Sequence, residues 1–151
     1  MSEQEAYKEL LNRIAEIAAV AGVHGSIDPE AGVFGASIAT AEKRRHVVYV
    51  RPSGEVGAGK LFITFFAIAR TYPKTKLVSA ISNKDLLGLL AKNEQMPFAR
   101  YGIQERKDDY LLVASVDHLL ETLDGEEFLA AASFVAMAAD KCEAEKGEDK
   151  L

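Results

Sequence analysis

The chain has 151 residues, 48 % of them apolar and 27 % charged, with a formal net charge of -5 and a pI near 5.3. A chain of this length buries about 68–70 % of its unfolded surface, enough for one real core, and its average composition excludes disordered and low-complexity classes. The acidity argues against nucleic acid and anionic membrane surfaces as partners, because both reward clustered Lys and Arg.

The single cysteine, Cys142, rules out an internal disulfide framework and a cysteine-rich zinc site, in keeping with a reducing compartment. The opening residues MSEQEAYKE lack the basic-then-apolar pattern of a secretory signal, so the expected location is cytoplasmic. Ser2 and Glu5 form a capping box that starts a helix. Tyr7, Leu10, Leu11, Ile14, Ile17 and Ala18 recur at three- and four-residue spacing on its buried stripe, and Gly22 and Gly25 end it.

After a turn at residues 28–32, Phe34, Ala36 and Ile38 alternate with smaller or polar residues as in a half-buried strand. A second strand is expected at about residues 45–51, joined to the first by a short charged turn as a hairpin. A loop at residues 52–59, with Pro52, Gly54, Gly57 and Gly59, then leads to a third strand from Lys60 to about Arg70. That strand is apolar on both faces: Leu61, Ile63, Phe65 and Ala67 on one, Phe62, Phe66 and Ile68 on the other. Each large side chain left in water forfeits roughly 1.5–3 kcal/mol. Both faces therefore need covers: helices for one, and for the other either another element of this chain or, as the favoured reading, a second copy of it.

Ser82 and Asp85 start the next helix, whose Leu86, Leu87, Leu89 and Leu90 carry it to about residue 95, with Pro97 as its stop. Residues 77–81 fit strand or helix equally. Strands at about 98–104 and 110–115 bracket a charged turn as a second hairpin. Asp124 then caps the last helix, with Glu126 and Glu127 complementing its dipole. Phe128, Ala132, Val135, Ala139 and Cys142 form the main apolar stripe of that helix, and Phe134 and Met137 a second strip beside it. One domain is expected over residues 1–145, with 146–151 as a charged tail. The longest apolar runs, residues 61–69 and 128–139, fall short of the roughly 20 residues of a membrane-spanning helix.

Candidate chemistry is sparse. Residues 54–60 read G-E-V-G-A-G-K, the spacing of a phosphate-cradling loop, but Leu61 stands where the magnesium-binding hydroxyl belongs and a strand pattern follows where a helix is needed. His24, His46 and His118 are scattered without metal-ligand spacing. Cys142 continues an apolar stripe with no adjacent histidine. Lys43, Arg44 and Arg45 sit at a predicted turn without interleaved aromatics, and Glu105, Asp108, Asp109, Glu126 and Glu127 each fit local turn or helix-start chemistry. No catalytic residue, metal ligand or cofactor is expected.

The strings LLGLLAKNEQ at residues 86–95, PFARYGIQ at 97–104, DDYLLVASVD at 108–117 and LDGEEFLAAASFVAMAADKCE at 123–143 resemble the YbjN family of small bacterial proteins, whose fold is similar to that of type III secretion chaperones. The resemblance implies an α+β fold, an antiparallel sheet of about five strands with helices packed on it, in the order α-β-β-β-α-β-β-α. It also implies a homodimer. The resulting expectation is a non-catalytic, chaperone-like or regulatory module that holds a protein partner segment, with Phe62, Phe66, Ile68, Phe134 and Met137 as the contact residues and no role for nucleic acid or membrane. The alternative is a nucleotide-binding protein using residues 54–60. Calorimetry with ATP or GTP plus magnesium separates the two: the module gives no heat at millimolar nucleotide, and saturable binding would establish the alternative.

Overall fold

The computed structural model describes residues 2–41, 43–76 and 81–148. Its fold is α+β, with three α-helices and a six-stranded, wholly antiparallel sheet among the described residues. Helix α1 spans Glu3–Val20, α2 Asn83–Gln95 and α3 Gly125–Glu148. The strands are β1 (Gly25–Asp28), β2 (Val33–Ala41), β3 (Arg44–Val56), β4 (Lys60–Pro73), β5 (Arg100–Glu105) and β6 (Asp109–Leu119), laid side by side as β1-β2-β3-β4-β6-β5.

Each helix starts where its side chains satisfy orphan backbone groups. Ser2 Oγ accepts from Glu5 N at 3.2 Å while Glu5 Oε2 accepts from Ser2 N at 3.3 Å. Asp124 and Glu127 exchange the same pair of bonds at the head of α3, and Ser82 Oγ accepts from Asp85 N at α2. The end of α1 is a Schellman turn: Gly22, at φ 77°, donates to Ala19 O while Val23 donates to Ala18 O at 2.8 Å.

Three features differ from the sequence reading. Strand β1 is additional, because residues 25–28 find their ladder only by folding back on β2 across the turn that Asp28 Oδ1 closes onto the N–H groups of Glu30 and Ala31. A four-residue, mostly exposed strand carries no apolar alternation to announce itself. The expected loop at 52–59 is instead mostly strand: β3 runs on to Val56 through a bulge at Ser53, and residues 57–59 alone turn the chain, with Ala58 at φ 71°. Helix α3 continues to Glu148, past the end of its apolar stripe. The ambiguous segment lies outside the described residues for positions 77–80.

Helices α1 and α3 pack on one face of the sheet. Leu11, Ile14 and Ala18 of α1 and Phe128, Ala132, Val135 and Ala139 of α3 meet Phe34, Val48, Val50, Ile63, Phe65, Ala67, Leu112 and Ala114. The alanines bring α3 close to the strands, so Phe128 reaches Phe65 edge-on with ring centroids 4.9 Å apart. Phe65 lies at the middle of the central strand and is fully buried. Phe65→Ala should cost about 3–5 kcal/mol of stability, read from urea unfolding, and a loss under about 1 kcal/mol would move the centre of the core elsewhere.

Candidate functional site

Strand alternation sends Phe62, Phe66 and Ile68 to the face of the sheet opposite the helices. There the central cluster consists of strand residues alone: Val33, Phe66, Leu111 and Val113, with Tyr49 and Ile68 packed against it. Tyr49 stacks on Phe66 at 5.3 Å and 29°, and the Arg51 guanidinium sits 5.7 Å over the same ring, which leaves Phe66 only 8 % exposed. Beside it, Val47 is 44 % exposed. Toward one end the same face carries a polar chain that sequence reading missed. Ser53 Oγ lies 2.5 Å from Thr64 Oγ1, Thr64 donates to Asp117 Oδ1 at 2.6 Å, and Arg100 donates to Asp117 Oδ2 at 3.0 Å. The chain ends on the ion pair between Arg100 and Asp117.

Phe134 and Met137 lie on the other side of the molecule, on α3. The structure therefore divides the five expected contact residues between two surfaces. Phe134 and Met137 line a cleft of about 710 Å³ between α2, the C-terminal half of α3 and the β2–β3 turn. Met96, Phe134, Met137 and Ala138 give the cleft its apolar lining, and the ion pairs Arg44–Asp140, at 2.9 Å, and Lys92–Glu145 stand beside it. Met137 is 55 % exposed, and Leu87 and Leu90 of α2 are 67 % and 65 % exposed. The Thr40 hydroxyl, buried in the cleft wall, has no hydrogen-bond partner among the described residues. Phe98, held at φ 74°, lays its ring against Phe134 at 5.7 Å and against His118 at 5.4 Å.

The remaining candidates separate in space. Residues 54–60 close the β3–β4 hairpin, with Val56 paired to Lys60. The basic triplet divides three ways: Lys43 is exposed in a turn, Arg44 pairs with Asp140, and Arg45 bonds the Ser37 hydroxyl and carbonyl. Arg106 forks onto both oxygens of Asp109 at 2.6 Å, and Glu105 accepts from Tyr110 Oη and pairs with Lys74. Those bonds hold both carboxyls below their ordinary range and tie down the β5–β6 hairpin. Cys142 is buried on the main stripe of α3, and His24 is exposed. His46 is the exception: it faces the helices and approaches Asp140 and Glu143 of α3. The i, i+3 spacing of those carboxylates was visible in the sequence, but their meeting with a strand histidine needs the tertiary fold.

Under the cleft, Tyr101 Oη donates to Ala138 O at 2.8 Å, and the Asn93 side chain bonds both the N–H and the carbonyl of Tyr101. Burial first, then the charges of Cys142 and Glu145, pushes the Tyr101 phenol up to about 12. The unfolded chain loses this proton near pH 10 and the folded one about two units later, so the contribution is full below pH 10 and is lost as pH rises toward 12. In an absorbance titration of the tyrosines, one phenol should ionise last, near pH 12, and Tyr101→Phe should remove that late step. A variant titrating like the wild type would place the late phenol elsewhere. No helix among the described residues is long and apolar enough to cross a membrane. No family model matches the chain, and no curated protein matches it.

Proposed function

We propose that this chain is a non-catalytic, homodimeric protein-binding module of the YbjN and type III secretion chaperone kind, cytoplasmic, and chaperone-like or regulatory in role. The observation that carries the reading is the sheet face opposite α1 and α3, where Val33, Tyr49, Phe66, Ile68, Leu111 and Val113 form an apolar centre with no helix over it among the described residues. A second copy fits this face. Two sheets pack about 10 Å apart with their side chains interdigitated, and the pairing makes the same patch serve both partners. The element order is the one expected of such a fold, with the short β1 as an addition to it. The cleft lined by Phe134 and Met137 is suited to an apolar segment of a partner protein, because a thioether side chain repacks around different shapes at little cost.

The two surfaces are tested separately. Light scattering at micromolar concentration should give the mass of two chains for the wild type and of one chain for Val47→Glu, whose exposed position leaves the fold intact; Phe66→Asp should lose dimerisation or solubility. A wild-type mass of one chain would remove the dimer. In a turbidity assay with a heat-denatured client, the wild type should suppress aggregation and Met137→Asp should lose that effect while remaining dimeric. Equal suppression by both would take the cleft out of the proposal.

A further inference from the structure

We propose that His46, Asp140 and Glu143 bind one divalent cation of borderline character, Zn²⁺, which bolts the C-terminal part of α3 to strand β3. One imidazole nitrogen and one oxygen from each carboxylate lie within 4.8 Å of one another. The set mixes nitrogen and oxygen donors, as zinc sites do and as magnesium and calcium sites seldom do.

Hydrogen bonds already engage one donor atom of each of the two inner residues and leave the other. His46 Nε2 lies 2.8 Å from Ile68 O, beyond the last β3–β4 pair, Tyr49 with Phe66. A carbonyl only accepts, so Nε2 carries the proton, and in the neutral ring Nδ1 keeps its lone pair. Arg44 holds Asp140 Oδ2 at 2.9 Å, which leaves Oδ1. This is the outer-shell pattern of protein metal sites, in which ligands are oriented through the atom that the metal does not use.

The Asp140 side chain is 14 % exposed, and its one cationic partner among the described residues, Arg44, is itself 55 % exposed. A carboxylate so far out of water gains from a second positive charge. Glu143 follows at i+3 on the same side of α3, where the neighbouring Ala139 and Cys142 are buried against the sheet, and it is exposed and so able to close over an ion from the solvent side. Three protein ligands and a water complete four-coordination at about 2.0–2.2 Å for nitrogen and oxygen. Asp140 also lines the cleft, so the bolt would stiffen one of its walls.

The test is calorimetry of the untagged, chelator-treated full chain with ZnCl₂, alongside thermal unfolding. One equivalent should bind, and Tm should rise by roughly 5–10 °C at free zinc about a hundredfold above Kd. Glu143→Gln, whose exposed side chain leaves the circular dichroism spectrum unchanged, should weaken binding at least tenfold, and Asp140→Asn and His46→Ala should do the same. No saturable heat and no Tm shift would overturn the site. So would undiminished binding by both Glu143→Gln and Asp140→Asn, or equally tight binding of Mg²⁺.

Discussion

The architecture depends on a single constraint: strand β4, in the middle of the sheet, is apolar on both faces, and the described residues supply helices for only one of them. Ile63, Phe65 and Ala67 drive the docking of α1 and α3. Phe66 and Ile68, interleaved with them, need cover that the described chain does not supply with a helix. What the monomer does instead is shield Phe66 locally, with Tyr49 stacked beneath and the Arg51 guanidinium above. An arginine stem can cover apolar surface while its head stays wet. Between them Tyr49 and Arg51 leave Phe66 only 8 % exposed.

The helical side is organised by size. Small residues on α3, among them Ala131, Ala132, Ala136 and Ala139, let the helix settle close to the strands, and Phe128 fills the space against Phe65 and Phe34. Near the other end of the helix the same closeness brings polar groups to the sheet. Tyr101 then finds the Ala138 carbonyl, and His46 comes within reach of two carboxylates. Core and polar cluster are thus two ends of one packing arrangement.

Local chemistry was legible in the sequence wherever a side chain acts on its own backbone neighbours. The caps at Ser2, Ser82 and Asp124 all stand where the residue types required them. The two-faced character of β4 was legible too, because period-two alternation is a property of the strand alone. Illegible were the features decided by a remote partner. Strand β1 exists because β2 offers it an edge, and Pro52 with the glycines after it mimics a loop although a bulge lets the ladder continue. Periodicity placed Phe62 with Phe66, and Phe134 with Met137, but held no information that the pairs lie on opposite sides of the sheet. The meeting of Ser53, Thr64, Arg100 and Asp117, from four strands, had no signature at all.

The side chain of Asn93 gives both a donor and an acceptor to the backbone of Tyr101, on the outermost strand, much as the next strand of a sheet would. It is a decoy neighbour. At the opposite border the sheet ends in a strand of four residues, too short to template much pairing. One border is capped at Tyr101 and the other is short, and both features disfavour the addition of a further strand. The amide of one asparagine thus takes up backbone groups of Tyr101 through which a further strand would have joined the sheet.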